Sequence, residues 1–284
     1  MSLSKWVVYV GFGLRIFLNH RLIVTTFYPT DYRSGVTMAD NRFMNTSAAE
    51  ATQVDLGLRA YMLGVYNHMT TALLLTGFFA YGTKMLATTT SPDGQMYLTS
   101  FGALLFNTPL QWVVMLAPLG MVFWLSARMQ SMSAGKARNM FYIYAGLMGL
   151  SLASVLMVYT GASVARAFFI TAGAFAGLSL YGYSTKRSLS AMGSFMVIGL
   201  IGLILASLVN IFLASTQLDF VISIVGVLVF AGLTAWDTQR IKLMYMAGDS
   251  QAETTKKSIF GALMLYLDFI NMFLFILRLF GNRE

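Results

Sequence analysis

The sequence has 284 residues, of which 57% are apolar and 11% are charged, with a formal net charge of +8. Its mean hydropathy is +0.68, whereas a soluble domain is roughly 45–50% apolar and about 25% charged, so a soluble enzyme with one small anchor is excluded. Cysteine is absent, which excludes disulfides, thiolate metal sites and a cysteine nucleophile.

Residues 1–50 are predicted to form an N-terminal cytoplasmic segment, and the first 37 of them differ from the rest. Their two short apolar stretches are separated by Arg15 and Arg21, and no small-residue cleavage site follows a clean apolar run, so a signal peptide is not predicted. Two interpretations remain for these 37 residues. Either translation begins at Met38 and they are not part of the native product, or they form an amphipathic stretch on the inner leaflet.

Residues 51–284 are predicted to form an all-α, polytopic membrane domain, because seven apolar segments there are each long enough to cross a bilayer. The segments are Tyr61–Leu86, Pro109–Ala127, Asn139–Tyr159, Ser163–Tyr183, Leu189–Ala214, Asp219–Ile241 and Ser258–Phe280. Basic residues are concentrated in the connections after the second, fourth and sixth segments. Since Lys and Arg favour cytoplasmic loops, these connections and the N-terminus are predicted to be cytoplasmic.

Small residues recur within the predicted spans at spacings typical of helix packing. The pairs considered are Gly146 and Gly149, Gly173 and Gly177, and Gly199 and Gly202. Small residues allow helix backbones to approach closely in lipid, so these six glycines are predicted to be packing sites and not functional sites.

Two aspartates lie within the predicted spans, where each charged side chain costs about 2.5 kcal/mol or more. Asp237 lies near the inner end of the sixth span and Asp268 near the middle of the seventh. A hairpin centred on residues 252–253 would place them at similar depth. Asp219, at the outer start of the sixth span, is instead interpreted as a residue that favours the helix N-terminus.

Two neighbouring carboxylates in a low dielectric cannot both stay charged, so Asp237 and Asp268 are expected to share a proton and titrate as a coupled pair. When deprotonated, they offer the hard oxygen ligands that Ca²⁺ prefers, although two carboxylates alone bind it loosely. The structural alternative is that Asp237 pairs with Arg240 or another basic side chain and Asp268 with Asn271. No other cofactor is predicted.

Three segments carry a resemblance to a known family: Phe230–Lys242 with Asp237, Leu265–Asn271 with Asp268, and Leu277–Gly281. They resemble the Bax inhibitor-1 family, bacterial-type members in particular, and the likeness extends from about Arg59 to Gly281. It implies a seven-helix bundle with the last helix central, in a bacterial inner membrane. It also implies a pH-sensitive calcium leak in which an aspartate pair bridges the closed state.

Family members can also have an Arg at the inner end of the second helix that acts on the aspartate pair. The nearest candidate here is Arg128, and Ser126 is the other residue that can occupy the aligned place.

The function predicted from these observations is a passive, pH-sensitive leak of Ca²⁺ or another hard cation. The shared proton holds the last two helices together, and its loss opens a path with Asn210, Asn271 and Tyr266 as polar lining. The one Gly-Lys dipeptide, Gly135-Lys136, lacks the first glycine of a Walker loop, so an ATP-driven pump is excluded. The expected partners are the bilayer, Ca²⁺ and H⁺, and no nucleic acid.

Two alternatives belong to other classes. The first is a non-transporting regulator that binds a membrane protease or another bilayer protein. The second, more distant, is an intramembrane aspartyl protease, which would use the two carboxylates as acid and base. Proteases of this class resemble one another in a Gly-x-Gly-Asp motif around one catalytic aspartate. This sequence has Leu265-Tyr266-Leu267-Asp268 at the corresponding place. The chain is therefore predicted not to be an enzyme.

Overall fold

The computed structural model describes residues 44–92 and 96–282, and their side chains except those of residues 44–55 and Gln130. Both interpretations of residues 1–37 concern a part of the chain outside the described residues. The helices in the described part are α1 (Met44–Ala87), α2 (Ser100–Phe106), α3 (Leu110–Arg128), α4 (Ala134–Val158), α5 (Gly161–Ser184), α6 (Ser190–Leu213), α7 (Thr216–Leu243) and α8 (Gln251–Phe280). A short antiparallel hairpin, β1 (Thr88–Thr90) and β2 (Met96–Leu98), follows α1.

Six of these helices, α3 to α8, are long and apolar enough to span a membrane. This confirms the prediction of an all-α, polytopic membrane protein. The first predicted span, Tyr61–Leu86, lies within α1, but α1 is not among the six. Asn67, His68 and Lys84 interrupt its apolar run, so a seventh crossing stays a prediction.

The connection between the first two predicted spans contains secondary structure that the sequence did not indicate. The β1–β2 hairpin is followed by α2, whose first turn is capped because Thr99 Oγ1 accepts a hydrogen bond from Gly102 N at 3.1 Å. A side chain on Gly102 would collide with the backbone carbonyl of Ala87. Glycine is therefore needed where α2 passes the end of α1.

Helix α8 lies at the centre of the bundle. Every residue from Lys257 to Leu277 is buried, and α1, α4, α5 and α7 all pack around it. This arrangement agrees with the central last helix that the family resemblance implies. A helix that is apolar on all sides is expected where neighbouring helices surround it.

Three of the six glycines predicted to be packing sites lie against a neighbouring helix: Gly146, Gly149 and Gly199. A Cβ on Gly149, for example, would lie 2.5 Å from the carbonyl oxygen of Thr76. Within the described part of the chain the prediction is wrong for the other three, since a Cβ there would meet none of its atoms within 4 Å: Gly173, Gly177 and Gly202. Spacing alone does not determine which face of a helix has a neighbour.

Candidate functional site

The connection between α7 and α8 has a defined local structure that sets where α8 begins. Ser250 Oγ accepts a hydrogen bond from Glu253 N at 3.2 Å, and the Glu253 carboxylate accepts one from Ser250 N at 3.1 Å. This reciprocal capping box satisfies two backbone donors that the first turn would otherwise leave open. Lys257 Nζ also lies 2.6 Å from Asp249 Oδ2. These contacts start α8 at Gln251, seven residues before the predicted span.

The face that α8 turns toward α7 is marked by two close contacts. A Cβ on Gly261 would lie 2.8 Å from Ile241 Cγ2 of α7. A Cβ on Gly226 of α7 would lie 2.6 Å from the ring of Phe275. Asp268 is seven residues from both Gly261 and Phe275, and residues seven apart share one helix face. Asp268 therefore lies on the face of α8 that meets α7.

Asp237 lies on the facing surface of α7 by the same criterion. It is four residues before Ile241, and residues four apart lie on one face. The same two contacts, Ile241 with Gly261 and Gly226 with Phe275, also indicate the relative depth of the two aspartates. Asp268 lies midway between the two contacts on α8, so it is roughly level with residues 233–234, midway between them on α7. At 1.5 Å per residue, Asp237 lies about 5 Å nearer the α7–α8 connection than Asp268 does.

The two aspartates thus lie on facing surfaces of neighbouring helices, within about one helical turn of each other along the helix axis. Both side chains are buried, with exposed fractions of 2% for Asp237 and 0% for Asp268. The pair therefore lies inside the bundle, where charge is costly.

Arg240 and Asn271 lie close to the aspartates along the same helices. The guanidinium of Arg240 is buried and lies 4.7 Å from the centroid of the Trp236 ring. Asn271 Nδ2 donates a hydrogen bond to the carbonyl oxygen of Leu267 at 2.7 Å. That bond orients the Asn271 amide along its own helix, one turn from Asp268.

A chain of hydroxyl groups beside Asp237 was not indicated by the sequence analysis. Tyr66 Oη on α1 lies 2.6 Å from Ser179 Oγ on α5, which lies 3.0 Å from Thr238 Oγ1 on α7. Thr238 Oγ1 in turn donates to the Thr234 carbonyl oxygen at 2.8 Å. Part of the signal was present in the sequence, since Thr238 belongs to the segment Phe230–Lys242 that carries the family resemblance.

Tyr266, predicted as polar lining, makes a specific contact between helices. Its hydroxyl lies 2.7 Å from Thr76 Oγ1, which donates to the carbonyl oxygens of Ala72 and Ala145, both at 2.9 Å. Tyr266 is therefore buried in a hydrogen-bonded cluster that joins α8 to α1 and α4.

Asn210 lies far from the aspartates. Its Oδ1 accepts a hydrogen bond from Ser215 N at 3.0 Å, at the end of α6 where Ala214 adopts a φ of 48°. The contact between Gly199 and Val229 aligns α6 with α7. It places Asn210 about 28 Å along the α7 axis from Asp237, at 1.5 Å per residue.

Arg128 is the exposed last residue of α3, and α3 packs on α4. Its side chain therefore lies outside the buried core, whereas Ser126 is buried with 1% of its surface exposed. The structure favours Ser126 as the residue of α3 that points into the bundle at this depth.

The site offers few ligands for a tightly held metal ion. Within residues 44–92 and 96–282, no three His, Asp or Glu residues lie together as a metal site. Ca²⁺ takes six to eight oxygen ligands, so a calcium ion at the pair would need water or backbone oxygens for most of them.

Comparison with known proteins places the whole membrane domain in one family. The family model described as "Inhibitor of apoptosis-promoting Bax1" matches residues 58–284, from within α1 to beyond α8. The chain belongs to the Bax inhibitor-1 family. The matched region includes both aspartates and the hydroxyl chain.

Bacterial relatives share this domain over almost their full lengths. The protein RP147 of Rickettsia prowazekii is 47% identical over 239 residues, covering 84% of this chain and 96% of the relative. A protein of Caulobacter vibrioides is 46% identical over 234 residues, covering 81% and 92%. The inner membrane protein YbhL of Escherichia coli K12 is 45% identical over 230 residues, covering 80% and 94%.

Proposed function

We propose that this Bax inhibitor-1 family protein is a passive, pH-sensitive leak for calcium in a bacterial inner membrane, with α1 as the seventh crossing. The observation that carries the proposal is the position of Asp237 and Asp268 on facing surfaces of α7 and α8, both fully buried. The name of the Escherichia coli relative supports the location. The permeant ion is a hard cation, because carboxylate oxygens are hard ligands.

The proposed gate is the shared proton. With one proton between them, the two carboxyl groups attract each other and hold α7 against α8. When the proton is lost, two neighbouring negative charges repel each other in a medium of low dielectric. The repulsion separates α7 from the central helix and opens a path beside it. Flow is downhill, since no motif for nucleotide-driven transport is present in the sequence.

The surroundings of the pair support this mechanism. The Tyr66–Ser179–Thr238 chain provides a hydrogen-bonded route from the α1–α5 surface to the residue next to Asp237. Because Gly261 and Gly226 pack closely against the opposite helix, there is little free space between α7 and α8 at these two positions. A small change in their separation therefore alters the space between them.

The test is calcium efflux from liposomes that contain the purified full chain, measured across a range of pH. The proposal expects efflux above that of protein-free liposomes, rising as pH rises through the titration of the pair. A variant with Asp219→Asn, outside the pair at the start of α7, should keep the pH dependence of efflux, although it weakens the contact of Asp219 Oδ1 with Arg278 Nη1 of α8 at 3.6 Å. Absence of efflux at every pH would contradict the proposal.

A second candidate is a non-transporting regulator that binds a membrane protease or another bilayer protein. The observation that favours it is α6, which packs closely on α7 alone among the described helices and leaves large apolar side chains exposed. This outward surface is available to a second membrane protein. A protein that carries no ion but co-purifies with a protease through α6 would support this candidate.

We do not propose a protease reaction for the aspartate pair. Leu265, Tyr266 and Leu267 precede Asp268, and all three are buried against other helices. Glycines in this position would allow a substrate backbone to approach, and these side chains fill that space.

A further inference from the structure

A groove of about 410 Å³ opens on the side of the bundle between α1 and α5. Its floor is the central helix, which contributes Phe269, Ile270 and Phe273, each no more than 8% exposed. Residues of α1, α4 and α5 form its walls, and almost all of them are apolar. The volume is typical of sites that hold small ligands.

Gly77 of α1 keeps the groove open. It lies in the wall, and a Cβ built on it would meet nothing within 4 Å. The same is true of Gly161 at the start of α5. Within the described part of the chain, the groove is therefore a recess with α1, α4 and α5 as its walls and α8 as its floor.

Lys84 is the charged residue among the described residues that line the groove. Its Nζ donates a hydrogen bond to the carbonyl oxygen of Leu156 at 2.7 Å, which fixes the ammonium at the end of the groove near the end of α1. An ammonium group has three donors, so two remain for another acceptor. The Thr76 hydroxyl, in contrast, is already bonded to protein groups.

The position of Lys84 along α1 corresponds to the surface of the membrane. Arg59 lies on the same face of α1, 25 residues earlier, where it lines a second pocket. At 1.5 Å per residue this separation is about 37 Å, close to the roughly 40–45 Å between the polar surfaces of a bilayer. Lys84 and Arg59 thus lie near the headgroups of opposite leaflets.

We propose that the groove binds an acyl chain of an anionic phospholipid whose phosphate group contacts Lys84. The apolar walls suit the hydrocarbon chain, and the ammonium complements the negative headgroup at the height where a headgroup lies. The bound chain lies against Phe269 and Ile270, directly after Asp268 in the sequence. The inference rests on the proposed crossing of the membrane by α1, but it does not depend on ion transport.

The test uses the purified full chain, with dioleoylphosphatidylglycerol as the anionic probe and dioleoylphosphatidylcholine as the zwitterionic probe of equal chain length. Lipid retained by the protein is measured by native mass spectrometry. One molecule of the anionic lipid should be retained roughly fivefold better than the zwitterionic one, the effect of one basic side chain near a membrane surface. Lys84→Gln should remove this preference.

Gly77→Leu should fill the groove and lower the retention of both lipids. The matched control is Gly82→Leu, on the same helix but outside the groove, where a Cβ also meets nothing within 4 Å. Equal retention by the parent and the Gly77→Leu variant would overturn the proposal. So would a preference for the anionic lipid that survives Lys84→Gln.

A second measurement tests lipid binding in the groove with the parent protein alone. A phosphatidylglycerol with a photoreactive group in its acyl chain should form cross-links to Phe269, Ile270 or Phe273 in the parent protein. Lipids that only surround the bundle cannot reach these buried residues. Cross-links confined to exposed side chains such as Phe212 of α6, which is 87% exposed, would contradict the site.

Discussion

The hydroxyl of Tyr266 lies 2.7 Å from Oγ1 of Thr76, and this contact ties the central helix to α1 two residues before Asp268. Because the Thr76 hydrogen is donated to carbonyl oxygens of α1 and α4, Tyr266 is the donor in the contact. Three helices therefore meet at one hydroxyl group, and the height of Asp268 relative to α1 is fixed there.

Tyr266→Phe should weaken the bundle without stopping calcium efflux. The variant removes one donor but leaves Thr76 with both carbonyl acceptors, so the expected loss is about 0.6 kcal/mol, typical of hydrogen bonds between membrane helices. Thermal unfolding in detergent measures this loss. Tyr181→Phe, at a side chain that is 51% exposed, is the control. Lost efflux with unchanged stability would instead make Tyr266 part of the path.

Replacing either aspartate of the pair with asparagine should abolish the pH dependence of efflux. Asn cannot lose a proton, so neither the repulsion that opens the path nor the coupled titration remains. Asp237→Asn and Asp268→Asn are compared with Asp219→Asn in the liposome assay. If both variants leak calcium with an unchanged pH midpoint, the gate lies elsewhere.

If the pair has a purely structural role, a different result is expected for the same two variants. Breaking a buried structural pair costs about 3–5 kcal/mol, so low yield and a reduced unfolding temperature would be the main effects. Thermal unfolding of Asp237→Asn and Asp268→Asn therefore separates the two roles. Normal stability with altered gating favours the proposed gate.

The orientation of the bundle can be tested with single cysteines, because the chain contains none. The basic connections predict that cysteines at Ser133, Ser188 and Ala247 resist an impermeant thiol reagent added outside the cell, whereas one at Ser91 reacts. The first three positions are exposed in the structure and differ in which connection they occupy. The reverse labelling pattern would invert the orientation, and lysed cells provide the control for reactivity.

Two glycines predicted to be equivalent should respond oppositely to alanine. Gly149→Ala places a methyl group 2.5 Å from the Thr76 carbonyl oxygen, and overpacking of this kind costs about 1–3 kcal/mol. Gly177→Ala meets nothing within 4 Å, so its stability should equal or exceed that of the parent, since Ala favours helix more than Gly does. Thermal unfolding compares the two. A destabilised Gly177→Ala would indicate a neighbour at that face.

The sequence predicted the long helices well because each must supply enough apolar length to cross a bilayer. Helix α3, predicted as Pro109–Ala127, is Leu110–Arg128 in the structure. The prediction was less accurate for α8, which begins at Gln251 and not at Ser258. Its polar first turns are stabilised by the Ser250–Glu253 capping box, and hydropathy does not register such contacts.

The candidate site could be predicted only in part. Buried carboxylates stand out in an apolar sequence, so Asp237 and Asp268 were identified at once. The Tyr66–Ser179–Thr238 chain was not, because hydroxyl residues are common in membrane helices and only tertiary packing brings these three together. The relative depth of the pair likewise depends on the packing of Gly261 against Ile241.

The central place of α8 has a consequence for how the protein is made. The helices that surround it are synthesised earlier, and the contact between Thr76 and Tyr266 joins residues separated by 190 positions. Until the ribosome has synthesised α8, the faces of α1, α4, α5 and α7 that pack on it lack that contact, although α1 already packs on α4 and α6 on α7. Completion of the bundle is therefore a late event that follows insertion of α8. Chaperones that protect unfinished membrane segments would act on this protein for nearly the whole of its translation.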